Sequence, residues 1–427
     1  MAQKIIRDPV HDVITLQTEK PVDQLLFQLI ACPEFQRLRR IKQLGMASLA
    51  YPGADHSRYS HSLGVMETAR QMLDHLGRNF RIDEIDSAAT LAAALLHDLG
   101  HGPFSHVFER VSDVKHELLT YRVILDPASH VHRTLIGYDA SMPERVTNLL
   151  QGKPGRTYLS DVLASQLDAD RMDYLLRDNL MTGSQYGNYD LRWLLQALTI
   201  EPQSNRLAVT WKGVSAVEAY LQARYHMYRN VYFHKVVRAG EGMVKLVLQR
   251  ARRMAVQDRL SWPGREDVVY KMLLGQRLTI DEFTELDDVA VQQCFRQWTR
   301  SDDTVLAQLC HGLLYRRLFK TIDLTRVNEP GKIDRIVAAA QQVIDDAGGE
   351  SGYGMFYDQP ADTPYRANPH EPTAASEIII VEADGTSSTL AEISPFIEGL
   401  VQQLTFRRLH VSEVWRDRVE SVVSKLM

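Results

Sequence analysis

At 427 residues, 44% of them hydrophobic, the chain has material for a large core divided into two or three packed parts. Its charged residues, 24% of the sequence, sum to −5, so no global basic field points to a nucleic-acid partner, and a polyanion-coating protein is disfavoured. Three scattered cysteines (Cys32, Cys294, Cys310) make neither a disulfide frame nor a zinc knuckle. With no apolar run long enough for a bilayer, a cytoplasmic protein is expected.

Lys4–Ile6 and Val13–Leu16 are predicted to pair as a hairpin, with Asp8-Pro9 in its turn. Helical spacing runs from Val22 to Leu44, interrupted at Pro33, and Ser60 offers an N-cap for a helix to Leu76 stopped by Gly77. Ser87–His97 is nearly all small or apolar, which predicts a helix buried on most sides and ended by Gly100 and Gly102-Pro103. Further helices are expected over Pro143–Leu150, Leu159–Asp178, Leu191–Leu198 and Val214–Val247, with a small strand at Leu207–Trp211. Asp281–Leu318 and Ile333–Asp346 are helical in pattern, and Gly348-Gly349 with Gln359–Pro372 marks a looser connection. Glu377–Val381 and Leu404–His410 read as strands, before a final amphipathic helix carrying Val411, Val414, Trp415, Val419 and Val422. The divisions expected are 1–265 for the chemistry and the hairpin, 266–347 for a helical subdomain and 348–427 for an α+β C-terminal subdomain.

The chemistry concentrates in His97-Asp98-Leu99-Gly100-His101-Gly102-Pro103-Phe104-Ser105-His106, followed by His116-Glu117. A lone His-Asp pair is a weak signal, and a solvated His-rich loop is the plain alternative. A buried helix leading into several titratable groups argues for use. Two other segments supply matching groups: His61 near the start of its helix, and Asp168, Asp170 and Asp173 among apolar residues, with Arg171 beside them. Imidazoles and carboxylates around one cation suit magnesium or a divalent first-row metal, with positions left for water and phosphate oxygens. These residues alone reach a metal-assisted hydrolase.

His61, His97-Asp98 and Asp170 match the H…HD…D signature of the HD superfamily of metal phosphohydrolases. More narrowly, DPVH (Asp8–His11), FQRLRRIKQLG (Phe35–Gly45), YPGADHSRYSHSLGV (Tyr51–Val65), LLHDLGHGPFSHVFE (Leu95–Glu109), DADRMDYLLRD (Asp168–Asp178) and YFHK (Tyr232–Lys235) resemble the deoxynucleoside triphosphate triphosphohydrolases. The resemblance implies a mainly α fold, an HD-domain helical core with a small α+β C-terminal part. It implies hydrolysis of deoxynucleoside triphosphates to deoxynucleoside and triphosphate. A divalent metal (Mn, Mg, Fe, Ni or Zn) would bind His61, His97, Asp98 and Asp170. His101, His106 and His116 would surround the α-phosphate, with Glu109 orienting His106 as the acid for the leaving oxygen. Arg58, Arg171 and Arg224 would hold phosphates, although the family often has lysine at Arg171. Gln43, Leu44, Asp178 and Tyr232 would read the sugar beside Tyr174; for Tyr174, Leu44 and Tyr232 ordinary core packing is the plain alternative. Phe233 stands where the family has a glutamine.

The resemblance also implies a homo-oligomer, dimer or tetramer, with a nucleotide effector between subunits. Lys4, Gln36, Arg39, Arg316 and Lys320 occupy matching positions, or are simply solvated surface groups. Ala31 stands where the mammalian relative has a carboxylate that reads guanine, so strict guanine dependence is not expected. Two alternatives remain: an HD phosphohydrolase acting on a monophosphate or an alarmone, and a nucleic-acid-binding or regulatory HD protein.

Overall fold

The computed structural model describes residues 3–112, 114–153, 157–363, 365, 377–400 and 402–427, excluding the side chains of residues 106, 110, 112, 157 and 398. The fold is mainly α. It opens with an antiparallel hairpin, β1 (Gln3–Asp8) and β2 (Asp12–Gln17), in which Asp8 pairs with Asp12 across the turn. The Asp8 carboxylate accepts the Val10 and His11 N–H groups at 2.9 and 3.0 Å, which fixes the turn and the position of His11. Prolines open α1 (Pro21–Ala31) and α2 (Pro33–Gln36), where a missing N–H costs nothing.

The central layer is α3 (Arg58–Leu76), α4 (Glu84–Leu96) and α10 (Ala169–Thr182), with α4 buried continuously from Ala88 to Leu96. Around it lie α5 (His106–Ser112), α6 (His116–Leu125), α7 (His130–Tyr138), α8 (Met142–Leu150), α9 (Thr157–Leu163) and α11 (Leu191–Ala197). Strands β3 (Leu198–Glu201) and β4 (Arg206–Thr210) lead to α12 (Val214–Met227) and the long α13 (Lys235–Val256). A second core gathers one face of α13, the apolar side of α5, and α14 (Val268–Leu273), α16 (Asp288–Trp298) and α17 (Thr304–Leu314), whereas α15 (Ile280–Glu285) sends Ile280 and Phe283 into the first core. Then follow β5 (Lys320–Asp323), α18 (Lys332–Asp346), α19 (Ser351–Gly354), β6 (Met355–Asp358), β7 (Ala361–Asp362), β8 (Ile379–Val381), β9 (Ser387–Thr389), α20 (Leu390–Ile393), β10 (Leu404–Thr405), β11 (Arg408–Val411) and α21 (Arg416–Leu426). No helix among the described residues is long and apolar enough to cross a membrane.

Several elements differ from the sequence expectations. The segment 159–178 is two helices: the buried Asp168 carboxylate accepts the Arg171 N–H at 2.8 Å and the Ser165 N–H at 3.0 Å, capping a new start. The segment 214–247 breaks at a π-helical turn, Tyr228–Tyr232, after which His234 caps α13. The central α3 starts at Arg58, with Ser57 rather than Ser60 at its N-cap. Val411 belongs to β11, and the last helix begins only after Trp415.

The C-terminal strands separate. β8 pairs in parallel with β4 and joins the first core, whereas β11 lies between β5 and β6. That three-stranded sheet joins residues on both sides of position 347, where sequence texture divides the chain.

Candidate active site

The carboxyl end of α4, the first turns of α3 and the first turn of α10 converge. His61 Nε2 lies 3.0 Å from Asp170 Oδ1 and 3.9 Å from Asp98 Oδ2. His97 Nε2 lies 3.3 Å from Asp98 Oδ1 and 3.8 Å from Asp170 Oδ1. Each imidazole is oriented through its other nitrogen: His97 Nδ1–H donates to the Ala94 carbonyl at 2.8 Å and His61 Nδ1–H to Asp173 at 2.9 Å. Both Nε2 atoms therefore face carboxylate oxygens, and His97 Nε2 is buried without a hydrogen-bond partner.

His61, His97 and Asp170 could together hold a divalent cation, and Asp98, beside His97, also groups with His101 and His116. Ligand atoms about 2.1 Å from a shared ion stand roughly 3.0–3.5 Å apart; the observed spacings are 3.0 and 3.3 Å, with two longer ones of 3.8 and 3.9 Å. The same demand for positive charge acts on His61 itself. Burial would lower its pKa, but the hydrogen bonds to Asp170 and Asp173 outweigh burial and raise it to about 10.

Sequence reasoning overlooked the support behind His61. Asp173 also accepts from His11 at 2.9 Å and from Arg177 at 2.8 and 2.9 Å, and Arg177 in turn donates to both oxygens of Asp8. Against the cost of burial, Arg177, His11 and His61 hold the Asp173 carboxyl well below the usual carboxylate range. The approach depends on Gly64, where a Cβ would stand 1.9 Å from Asp173 Oδ1. The signals were present: Asp8 and His11 in DPVH, Asp173 three residues after Asp170, and Arg177 four after Asp173.

Beyond the cluster, His101 Nε2 is 3.2 Å from Asp98, and its ring stacks on His116 at 3.8 Å between centroids. Burial and the Arg58 charge push the His101 pKa well down, whereas His116 is raised because Glu109 and neighbouring carboxylates offset its burial. The described partner of Glu109 is thus His116, to which it is hydrogen-bonded; the side chain of His106 lies outside the described residues. Arg58 is buried on Asp98 and on Ser105 Oγ.

One cavity of about 470 Å³ takes in Arg58, His61, Asp98, His101, His116, Asp170 and Arg171, and continues past Tyr174 to Gln43, Leu44, Asp178 and Tyr232. There Tyr232 OH donates to Asp178 at 2.8 Å, and His56 donates to the other Asp178 oxygen at 2.7 Å. Gln43 Oε1 is buried without a partner. Arg171 is paired with Asp168 at the cavity edge. Arg224 stands behind the wall, donating to Gln166 at 3.2 Å with Asp362 3.5 Å away.

The expected effector residues lie apart from this cavity. Gln36 accepts from Arg39 at 2.8 Å, and Arg39 covers the Tyr59 ring. Lys4 lies over Phe27, Arg316 donates to the Leu49 carbonyl at 2.9 Å, and Lys320 is 3.5 Å from Glu413. Among the described residues no hydrogen bond or ion pair joins Lys4, Gln36 and Arg39 to Arg316 and Lys320. Ala31 is exposed at the end of α1.

The models of the HD domain and of the HD associated region match residues 58–177 and 189–261. The chain is 33% identical to the protein YwfO of Bacillus subtilis over 401 residues, 93% of this chain and 89% of that one. It is 27% identical to the human deoxynucleoside triphosphate triphosphohydrolase SAMHD1 over 372 residues, 78% of this chain and 57% of the human protein's length. A crystal structure of a phosphohydrolase from Bacteroides thetaiotaomicron superposes with a TM-score of 0.82 at 29% identity, covering 96% of this chain and all of that one. With the matched region centred on the residues that converge around His61 and Asp98, the chain belongs to the HD-domain family of metal-dependent phosphohydrolases.

Proposed function

We propose that the protein hydrolyses deoxynucleoside triphosphates to deoxynucleoside and intact triphosphate. The observation that carries this reading is the continuity of one cavity from the His61–Asp98–Asp170 cluster to the Tyr232–Asp178 pair beside Leu44 and Gln43. A site that handled phosphate alone has no need of such an extension. The similarity to the human triphosphohydrolase supports attack at the α-phosphorus.

His61, His97, Asp98 and Asp170 would hold the divalent metal, which when bound lowers the pKa of water and offsets phosphoryl charge. Arg58 and Arg171 supply cations at the phosphate end, and Arg224 reinforces them from behind. His116, whose pKa Glu109 raises, favours positive charge beside His101, whose pKa is pushed well down, and His106 is assigned the proton for the leaving oxygen. At the sugar end Gln43 Oε1 and the Asp178 carboxylate are suited to accept a 3′-hydroxyl. Leu44 and the Tyr232 ring leave a 2′-hydroxyl without a partner.

The test is product identity. Incubation with each deoxynucleotide and a manganese salt, followed by anion exchange, should yield deoxynucleoside and triphosphate in equal amounts. Stepwise orthophosphate, or pyrophosphate with a monophosphate, would move the protein to another nucleotide chemistry.

A further inference from the structure

The C-terminal sheet packs against residues that line the cavity. Gly242 of α13 faces Phe356 of β6, where a Cβ would stand 2.0 Å from the ring, so only glycine lets the strand seat so closely. Phe356 stacks on His410 of β11 at 4.8 Å. The seating brings Asp358, at the end of β6, against Arg238: Nε–H and Nη2–H donate to its two oxygens at 3.0 and 2.5 Å. Arg238 Nη1–H donates to Glu241 at 2.7 Å, and Arg408 of β11 donates to the Phe233 carbonyl. Phe233, Val237, Arg238 and Glu241 all line the cavity that holds the metal cluster.

We propose that Arg238 reads the base of the substrate and that Asp358 is its positioning residue; this rests on the deoxynucleotide reading above. A guanidinium carries five N–H groups. The three bonds just named leave one N–H on each terminal nitrogen, and the cavity that Arg238 lines is also lined by the apolar Leu44, Ala47, Phe233 and Val237. Arg58 and Arg171 already supply cations beside the metal cluster, so a cation on this wall is not needed for the phosphate there. Two N–H donors held in one guanidinium plane can match two adjacent acceptors on a base edge, such as O6 and N7 of guanine. Cytosine offers O2 and N3 in the same way. Adenine and thymine alternate donor with acceptor and satisfy only one of the two. The bidentate clamp by Asp358 holds the guanidinium plane still, so selectivity depends on a strand more than a hundred residues away in sequence.

The experiment measures kcat and KM for the four deoxynucleoside triphosphates with wild type, Arg238→Gln and Asp358→Asn. Arg238→Gln should lower kcat/KM for dGTP and dCTP relative to dATP and dTTP by roughly tenfold. Most of that loss should lie in KM, because a base contact is the same before and during reaction. Asp358→Asn should move the ratio in the same direction by less. Arg238→Lys, which keeps the charge but not the fork, should lose the discrimination too, and serves if the glutamine variant does not fold. Turnover with an unchanged ratio among the four bases overturns this inference alone. No turnover of any of the four by the wild type overturns the substrate reading and this inference with it.

Discussion

Arg58 and Arg177 are buried, each on an aspartate that also serves the histidines of the metal cluster. Arg39, Arg316 and Lys320 are at the surface and rest on a ring, a backbone carbonyl and an exposed glutamate. Buried charge must be paired and hydrogen-bonded for the chain to fold, so these inner cations are positioned by the protomer itself. The outer cations keep hydrated freedom and gain direction only from something that binds across them. One set is therefore organised in advance, and the other is not.

The strongest way to break this comparison is to remove the centre of the organised set. Replacing His97 and Asp98 together with alanine should abolish bound metal and turnover, lowering kcat by at least about a thousandfold, because two of four ligands are lost. Metal analysis and steady-state kinetics measure both, and retained turnover in metal-replete buffer would mean the site is placed wrongly.

The support behind the ligands comes next. Asp173→Asn should weaken metal binding about 10–100-fold, since His61 loses the carboxylate that orients it. Titration of the apo-protein with manganese reads this, and an unchanged affinity would reduce the Asp8–Arg177–Asp173 chain to a structural brace.

A smaller effect belongs to the sugar end. A buried hydroxyl without a partner costs roughly 1–3 kcal/mol, so dATP should be turned over one to two decades faster than ATP. Equal rates would remove the role given to Leu44 and Tyr232.

The outer set carries the smallest expected effect. With Ala31 unable to accept guanine N–H groups, dATP hydrolysis should proceed without GTP or dGTP. Added nucleotide should change the rate by no more than a few-fold and without strict guanine preference. Light scattering during the assay follows the expected homo-oligomer. An absolute requirement for a guanine nucleotide would show that another residue does the reading.

The site was legible wherever its chemistry is contiguous. His97, Asp98 and His101 fall at the end of one apolar helix, and Asp170 sits one turn from Asp173 and Tyr174, so helical periodicity alone groups them. Helix breaks were harder to see, because apolar spacing continues through them. The π turn before Phe233 and the carboxylate cap at Asp168 are made by hydrogen bonds that periodicity does not encode. Val411 shows the same ambiguity in reverse: its apolar neighbours suit a helix, but pairing with Met355 and Lys320 makes it strand.

The amino-acid sequence by itself determined the mainly helical class, the histidines and aspartates that could hold a metal, and the family to which they belong. Only the tertiary structure decided what stands behind and beside them. Asp8 meets Arg177, Asp358 meets Arg238, and β8 joins β4, each across more than a hundred residues of chain. Local spacing cannot specify such pairs. They are selected by the requirement that every buried charge and strand edge find a partner when the cores close.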